Sequence, residues 1–145
     1  MARAILYDSV LCVGCRQCEE TCSERWKLPY NEKIAAEEKV SAHKLTAVRT
    51  HGERFSRKLC MHCIDPACVS VCPVAALQKM QAGPVVYLED RCMGCRYCMT
   101  ACPFQVPSYT WNEILAPKVA KCDMCSDQLK EPTRCSSICP TESTI

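Results

Sequence analysis

The chain has 145 residues, one domain's length, but its 48% hydrophobic share is inflated: 16 residues are cysteine and only 6% are aromatic. Without cysteine the apolar share is about 37%, below the usual globular range, so hydrocarbon burial alone does not account for a fold. A formal charge of +2 with no basic run excludes a nucleic-acid footprint, and 4 glycines are too few for a nucleotide-binding fold.

From the start, Met1-Ala2-Arg3-Ala4-Ile5-Leu6-Tyr7-Asp8 meets an acid before any apolar run of signal length. No stretch reaches the roughly 20 apolar residues of a membrane span. The chain is read as cytoplasmic, and in a reducing compartment clustered cysteines mean metal or redox sites rather than disulfides. Ile5-Leu6-Tyr7 reads as a strand leading into the first cysteine group, Cys12-x2-Cys15-x2-Cys18-x3-Cys22. Residues 23–59 form an insertion. Within it residues 34–40 read as a short helix, and residues 45–50 and 53–55 as a hairpin turning at His51-Gly52. The second group is Cys60-x2-Cys63-x4-Cys68-x3-Cys72-Pro73. Val85-Val86-Tyr87-Leu88 reads as a second strand, leading into Cys92-x2-Cys95-x2-Cys98-x3-Cys102-Pro103. Residues 103–121, with Pro107, Tyr109, Trp111 and Pro117, read as an ordered loop before the fourth group, Cys122-x2-Cys125-x9-Cys135-x3-Cys139-Pro140.

The sixteen cysteines thus fall into four groups of four with none left over. Two-residue gaps let a tight loop wrap three thiolates around three corners of a cubane and aim backbone N–H groups at its sulfur. The fourth cysteine, three residues on, is expected to open a short helix and face away, with the following proline fixing φ at that helix start. In two-cluster ferredoxins it ligates the other cluster, so groups work in pairs. Groups one and three repeat strand, loop and helix, matching Gly14 with Gly94 and Arg16 with Arg96, while group one has Ser23 in place of proline. Group four, as C-x2-C and C-x3-C, is compatible with a zinc ribbon as well as a cluster. Four oxidised clusters, each about 2−, would turn the formal +2 into about −6, so the Lys and Arg residues read as charge balance. The result is one compact α+β unit with little regular structure that does not fold without iron.

Among other residues, His62 reads as a hydrogen-bonded loop imidazole, with a tuning role as the sharper alternative. Arg16, Arg96, Lys58 and Lys121 flank ligands and read as surface charge balance, the alternative being that they raise cluster potentials. Trp26, Trp111 and Tyr109 read as core filling, and His43 and His51 as loop residues. No nucleophile–base pair or carboxylate pair is evident, so the chain is not a catalyst alone.

The runs Cys60-Met61-His62-Cys63 with Pro66-x-Cys68, Cys92-Met93-Gly94-Cys95-Arg96-Tyr97-Cys98, and Ala101-Cys102-Pro103-Phe104-Gln105-Val106-Pro107 carry a resemblance. So do Lys121-Cys122-Asp123-Met124-Cys125 and Cys139-Pro140-Thr141. Over nearly its whole length the chain resembles the four-cluster electron-transfer subunits of molybdenum and tungsten oxidoreductases and of related hydrogenases. Examples serve dimethyl sulfoxide, polysulfide and nitrate reductases and formate dehydrogenases. The resemblance implies a tandem bacterial-ferredoxin-like fold with four [4Fe–4S] clusters. Residues 1–30 with 112–145 would form one unit and residues 56–111 the other. Cluster A would be held by Cys12, Cys15, Cys18 and Cys139, and cluster B by Cys122, Cys125, Cys135 and Cys22. Cluster C would be held by Cys60, Cys63, Cys68 and Cys102, and cluster D by Cys92, Cys95, Cys98 and Cys72. Some relatives lack the second cysteine of group three and hold a three-iron cluster; this chain keeps Cys95. The family continues past Cys-Pro-Thr into a C-terminal extension, whereas the sequence here ends at Ile145, as a minimal member or as part of a longer chain.

The implied function is single-electron relay between a large catalytic subunit (molybdenum or tungsten pterin, or nickel–iron) and a second redox partner such as a quinone-reactive subunit. The alternatives are a free polyferredoxin carrier or maturation protein, and a zinc-bound interaction module.

Overall fold

The computed structural model describes residues 3–110 and 118–145. In chain order its elements are helices α1 (Gln17–Arg25) and α2 (Glu32–Ala36), strands β1 (Ala47–His51) and β2 (Arg54–Lys58), helix α3 (Ala67–Ser70), and strands β3 (Leu77–Lys79) and β4 (Val85–Tyr87). Helix α4 (Tyr97–Ala101), strands β5 (Ser108–Thr110) and β6 (Lys118–Ala120) and helix α5 (Arg134–Ser137) follow, with a 3-10 turn at Glu89–Arg91 before α4.

Cysteine spacing sets where the helices start and proline sets where they stop. The third cysteine of each group (Cys18, Cys68, Cys98, Cys135) lies in the first turn of α1, α3, α4 or α5. In groups two to four the fourth cysteine lies beyond the helix end, which corrects the expectation that it opens a helix. Proline acts there as a stop. It forces the preceding residue out of the helical region, and Cys102 accordingly has φ −76° and ψ 113°. Three residues past each of these cysteines the chain turns through a positive φ, at Ala75, Gln105 and Glu142. Their N–H groups donate to the carbonyls of Cys72, Cys102 and Cys139 at 3.2, 3.1 and 3.3 Å. Group one has Ser23 in place of proline, so α1 runs on through Cys22 for 9 residues.

Strands β1 and β2 pair antiparallel with His51 opposite Arg54, so the turn is Gly52-Glu53, one residue later than expected. Gly52 takes φ 61°, which the first position of such a turn requires. His51 is therefore a strand residue, its Nε2 2.8 Å from the Ser56 Oγ. Helix α2 begins earlier than the expected 34–40, because the Asn31 side chain accepts the Lys33 and Ile34 N–H groups at 3.1 and 3.2 Å and caps it. Ile5-Leu6-Tyr7 makes a bridge rather than a full strand: Tyr7 pairs with Thr144, and Leu6 exchanges both backbone hydrogen bonds with Ile145. This ties the segment before group one to the segment after group four. Strand β4 pairs with β3. The expected loop over residues 103–121 contains a β5–β6 pair, with Tyr109 opposite Val119. That pair straddles the boundary expected between residues 111 and 112, while Trp111 and Pro117 lie outside the described residues. Leu77, Val85, Cys98, Tyr109 and Val119 form a small core, with Cys68, Val69, Tyr87 and Cys92 against it. Tyr109 fills core as expected, whereas Trp26 is 41% exposed, with the Arg25 guanidinium 5.3 Å from its ring centroid.

A second anchor is polar. Glu19 on α1 and Lys44 are both fully buried and pair at 2.9 Å, and Glu19 also accepts from the Tyr30 hydroxyl and the Val48 N–H. Lys44 donates to the carbonyls of Ile34, Ala35 and Glu37, fastening the insertion to α1. Glu19→Ala would leave a buried ammonium without its anion, and is expected to destabilise the loaded protein by about 3–5 kcal/mol in denaturant titration.

Candidate metal centre

All four C-x-x-C loops share one backbone feature. The residue before the second cysteine is left-handed in each: Gly14 (φ 69°), His62 (45°), Gly94 (73°) and Met124 (60°). Such a reversal is what lets a two-residue gap curl round a common centre. Glycine is free to adopt it, and at Gly14 a side chain would also strike the Phe55 ring, 2.5 Å from the position of an added Cβ. His62 and Met124 adopt it without that freedom, so the loop conformation of groups two and four matches groups one and three although their sequences do not. Arg16 and Arg96, alike in sequence, are alike in structure as left-handed residues at the N-terminal ends of α1 and α4.

The fold brings cysteines together across groups. Cys12, Cys15 and Cys18 line one cavity with Cys139, and Cys92, Cys95 and Cys98 line another with Cys72. Helices α1 and α5 pack together, as do α3 and α4. Burial pushes the Cys22 thiol well up in pKa, and the neighbouring charges of Cys122, Cys135 and Cys125 push it further, opposed by Arg57. Burial likewise raises Cys68 to about 11, with Cys60 and Cys102 adding to the rise and Lys121 opposing it. Cys63 lies beside Cys60 on the wall of an open cavity that also includes His62 and Met124.

Thiols of different sets also lie within one another's electric field. Cys18 feels the charge of Cys135, Cys122 that of Cys60, and Cys68 that of Cys98. These three couplings link the expected sets A to B, B to C and C to D. Cys15 of set A and Cys95 of set D are exposed, whereas Cys98 of set D and Cys125 and Cys135 of set B are buried.

Three of the sulfurs accept hydrogen bonds. The Ala76 N–H points at the Cys72 Sγ at 3.2 Å and the Met124 N–H at the Cys122 Sγ at 3.3 Å. At Cys139 burial raises the pKa, but the Ser143 hydroxyl, 3.2 Å away, and backbone N–H groups of Thr144 and Thr141 outweigh it and bring it down to about 7. A [4Fe–4S] core needs four thiolates from two directions and N–H donors to its sulfur. This donor set fits that requirement. Among the described residues, no three His, Cys, Asp or Glu side chains are arranged as a site for a single metal ion.

His62 is 6% exposed, its Nδ1 accepts the Val85 N–H at 2.9 Å, and burial with nearby Lys121 and Lys79 holds it neutral, its pKa lowered to about 3. It is the hydrogen-bonded loop imidazole expected. His43 is exposed in a turn. Lys58 is half-buried on β2 and Arg96 exposed, its guanidinium 5.9 Å from the centroid of the Tyr109 ring. Lys121 departs from the surface reading, being 5% exposed. Arg57 on β2 carries no sequence signal, since no motif marks it, yet it lines the cavity of Cys12, Cys15, Cys18 and Cys139.

Four such loops, with donors aimed at the sulfurs of Cys72, Cys122 and Cys139, define a ferredoxin-type iron–sulfur protein. Residues 50–145 match the 4Fe–4S dicluster domain, and the chain belongs to that family. It is 38% identical to the hydrogenase-2 operon protein HybA of Escherichia coli O157:H7, over 97% of this chain and 50% of that protein. It is 36% identical to a subunit of the anaerobic dimethyl sulfoxide reductase of Escherichia coli K12, over 92% of this chain and 67% of the relative. It is 32% identical to the thiosulfate reductase electron transfer subunit PhsB of Salmonella typhi, over 95% of this chain and 71% of the relative. The chain thus spans about half the length of HybA and roughly two thirds of the other two. Among the described residues no helix is long and apolar enough to cross a membrane.

Proposed function

We propose that the chain is the non-catalytic electron-relay subunit of an oxidoreductase complex, holding four [4Fe–4S] clusters at sets A to D in two tandem ferredoxin-like units. The observation that supports this reading is that thiols of sets A and B, B and C, and C and D lie in one another's electric field. A single-cluster carrier has no use for such a line. Each cluster, when bound, supplies one centre that takes up and gives back a single electron.

The protein's own part is to hold and insulate. The left-handed loops fix three thiolates per site, and the fourth arrives from the paired group. Helices α1 with α5 and α3 with α4 lock those pairs together. Buried Cys125 and Cys135 keep set B from water, while exposed Cys15 and Cys95 leave sets A and D within reach of partners. In this reading one end meets a large catalytic subunit, a molybdenum or tungsten pterin enzyme or a nickel–iron hydrogenase. The other meets a second redox protein.

The test is native purification under anaerobic conditions. The chain is expected to elute in constant stoichiometry with a large subunit carrying molybdenum, tungsten or nickel. Elution alone, with equal reactivity toward several unrelated enzymes, would instead make it a free polyferredoxin carrier.

A further inference from the structure

Several buried or half-buried cations of this protein have an evident anion. Lys44 has Glu19, and Arg25 lies between Asp123 and Asp127. Lys121 and Arg57 do not fit that rule. The Lys121 Nζ donates to the carbonyls of Val85 and Cys122, and among the described residues no carboxylate lies within ion-pair distance. The Arg57 guanidinium donates from Nε to the Thr46 hydroxyl at 2.9 Å and from Nη1 to the Thr144 hydroxyl at 3.1 Å, again with no carboxylate among the described residues. Neutral oxygens satisfy the N–H groups but not the charge, and a charge away from water is costly unless an anion faces it.

The anions in reach once iron is bound are thiolates, and they belong to different sets. Arg57 shares its cavity with the four cysteines of set A, and its charge acts on Cys18 of set A and on Cys135 and Cys122 of set B. Lys121 adjoins Cys122 of set B in sequence and acts on Cys68 of set C. One cation therefore acts on sets A and B and another on sets B and C, so set B feels both.

We propose that Arg57 and Lys121 are the counter-cations of the clusters in these sets, positioning residues whose charge raises the reduction potentials of A and B and of B and C respectively. The inference rests on the four-cluster reading above. A buried cluster resists the extra negative charge of reduction, and set B contains the buried thiols Cys125 and Cys135. Two nearby cations, unscreened because the same burial excludes water, offset that resistance. They keep the inner site within reach of its neighbours in potential.

The test is an EPR-monitored redox titration of the loaded chain, with iron and sulfide measured on every sample. Lys121→Gln keeps a donor for the two carbonyls but removes the charge, so a purely structural lysine would leave all potentials in place. We expect it to lower two midpoints, each by at least a tenfold change in the reduction equilibrium, about 59 mV for a one-electron couple. Arg57→Gln should lower two midpoints as well, one and only one of them shared with Lys121→Gln. Lys121→Arg and Arg57→Lys should stay near wild type. Loss of clusters in the glutamine variants but not in the charged ones would equally support a requirement for charge. Unchanged midpoints, a uniform shift of all four, no shared midpoint, or cluster loss in the charged variants too would overturn the proposal. A wild-type chain without about 16 iron would instead overturn the four-cluster reading beneath it.

Discussion

Replacing Cys122 with alanine is expected to remove one whole cluster, lowering iron from about 16 to about 12 per chain and slowing end-to-end electron transfer by orders of magnitude. The size of the effect follows from the proposed order, in which set B lies second in the line, between sets A and C. The informative comparison is with Cys22→Ala. The two residues are 100 positions apart in sequence, yet the Cys22 thiol lies in the field of Cys122, Cys125 and Cys135. Difference EPR spectra of the two variants should superimpose. Those of Cys12→Ala and Cys139→Ala should superimpose on each other and differ from the first pair. If Cys22→Ala instead matches Cys12→Ala, each group holds its own cluster and the crosswise pairing is wrong.

Stripping iron with a chelator is expected to abolish the cooperative unfolding transition, seen as loss of tertiary circular dichroism. The small core of Leu77, Val85, Cys98, Tyr109 and Val119 includes the proposed ligand Cys98, so little remains to offset chain entropy once the clusters go. Acid should act the same way. Burial, the first cause in each case, pushes Cys18 and Cys68 up to about 11 and Cys122 to about 12, against an ordinary 9.0. A thiol raised in the fold favours the iron-free fold fully below the unfolded value, and loses that contribution as pH climbs through the folded one. Iron must displace those protons, so cluster binding strengthens as pH rises and weakens as it falls. Reconstitution yield should therefore be higher at about pH 8.5 than at about pH 6.5, and a pH-independent yield would contradict this reading of the thiols.

The cysteine grouping is legible in the sequence because ligand spacing is a local property: three thiolates on one short loop leave a mark a few residues long. So is the core role of Tyr109. The helix ends are easily misread for a local reason as well. Proline suits a helix start and a helix stop alike, and only the position of Cys72, Cys102 and Cys139 beyond their helices distinguishes the two. The hairpin register is one residue off the expected one because His51-Gly52 and Gly52-Glu53 both offer a glycine to the turn. The rest depends on contacts distant in sequence. Nothing near Glu19 announces Lys44, 25 positions away, and nothing near Arg57 announces Cys135 or Thr144. The left-handed backbone at His62 and Met124 is hidden too, since neither residue type advertises it. That feature relates group four to the other three more closely than its stretched spacing suggests.

Four clusters in one line can be checked by metal and acid-labile sulfide analysis of the anaerobically purified chain. About 16 iron and about 16 sulfide per chain are expected, with no zinc and a broad visible absorption that bleaches on reduction. About 12 iron with one zinc would show that group four holds a structural ion and that the line is broken at set B; zinc alone, with no visible absorption, would contradict the electron-relay reading altogether.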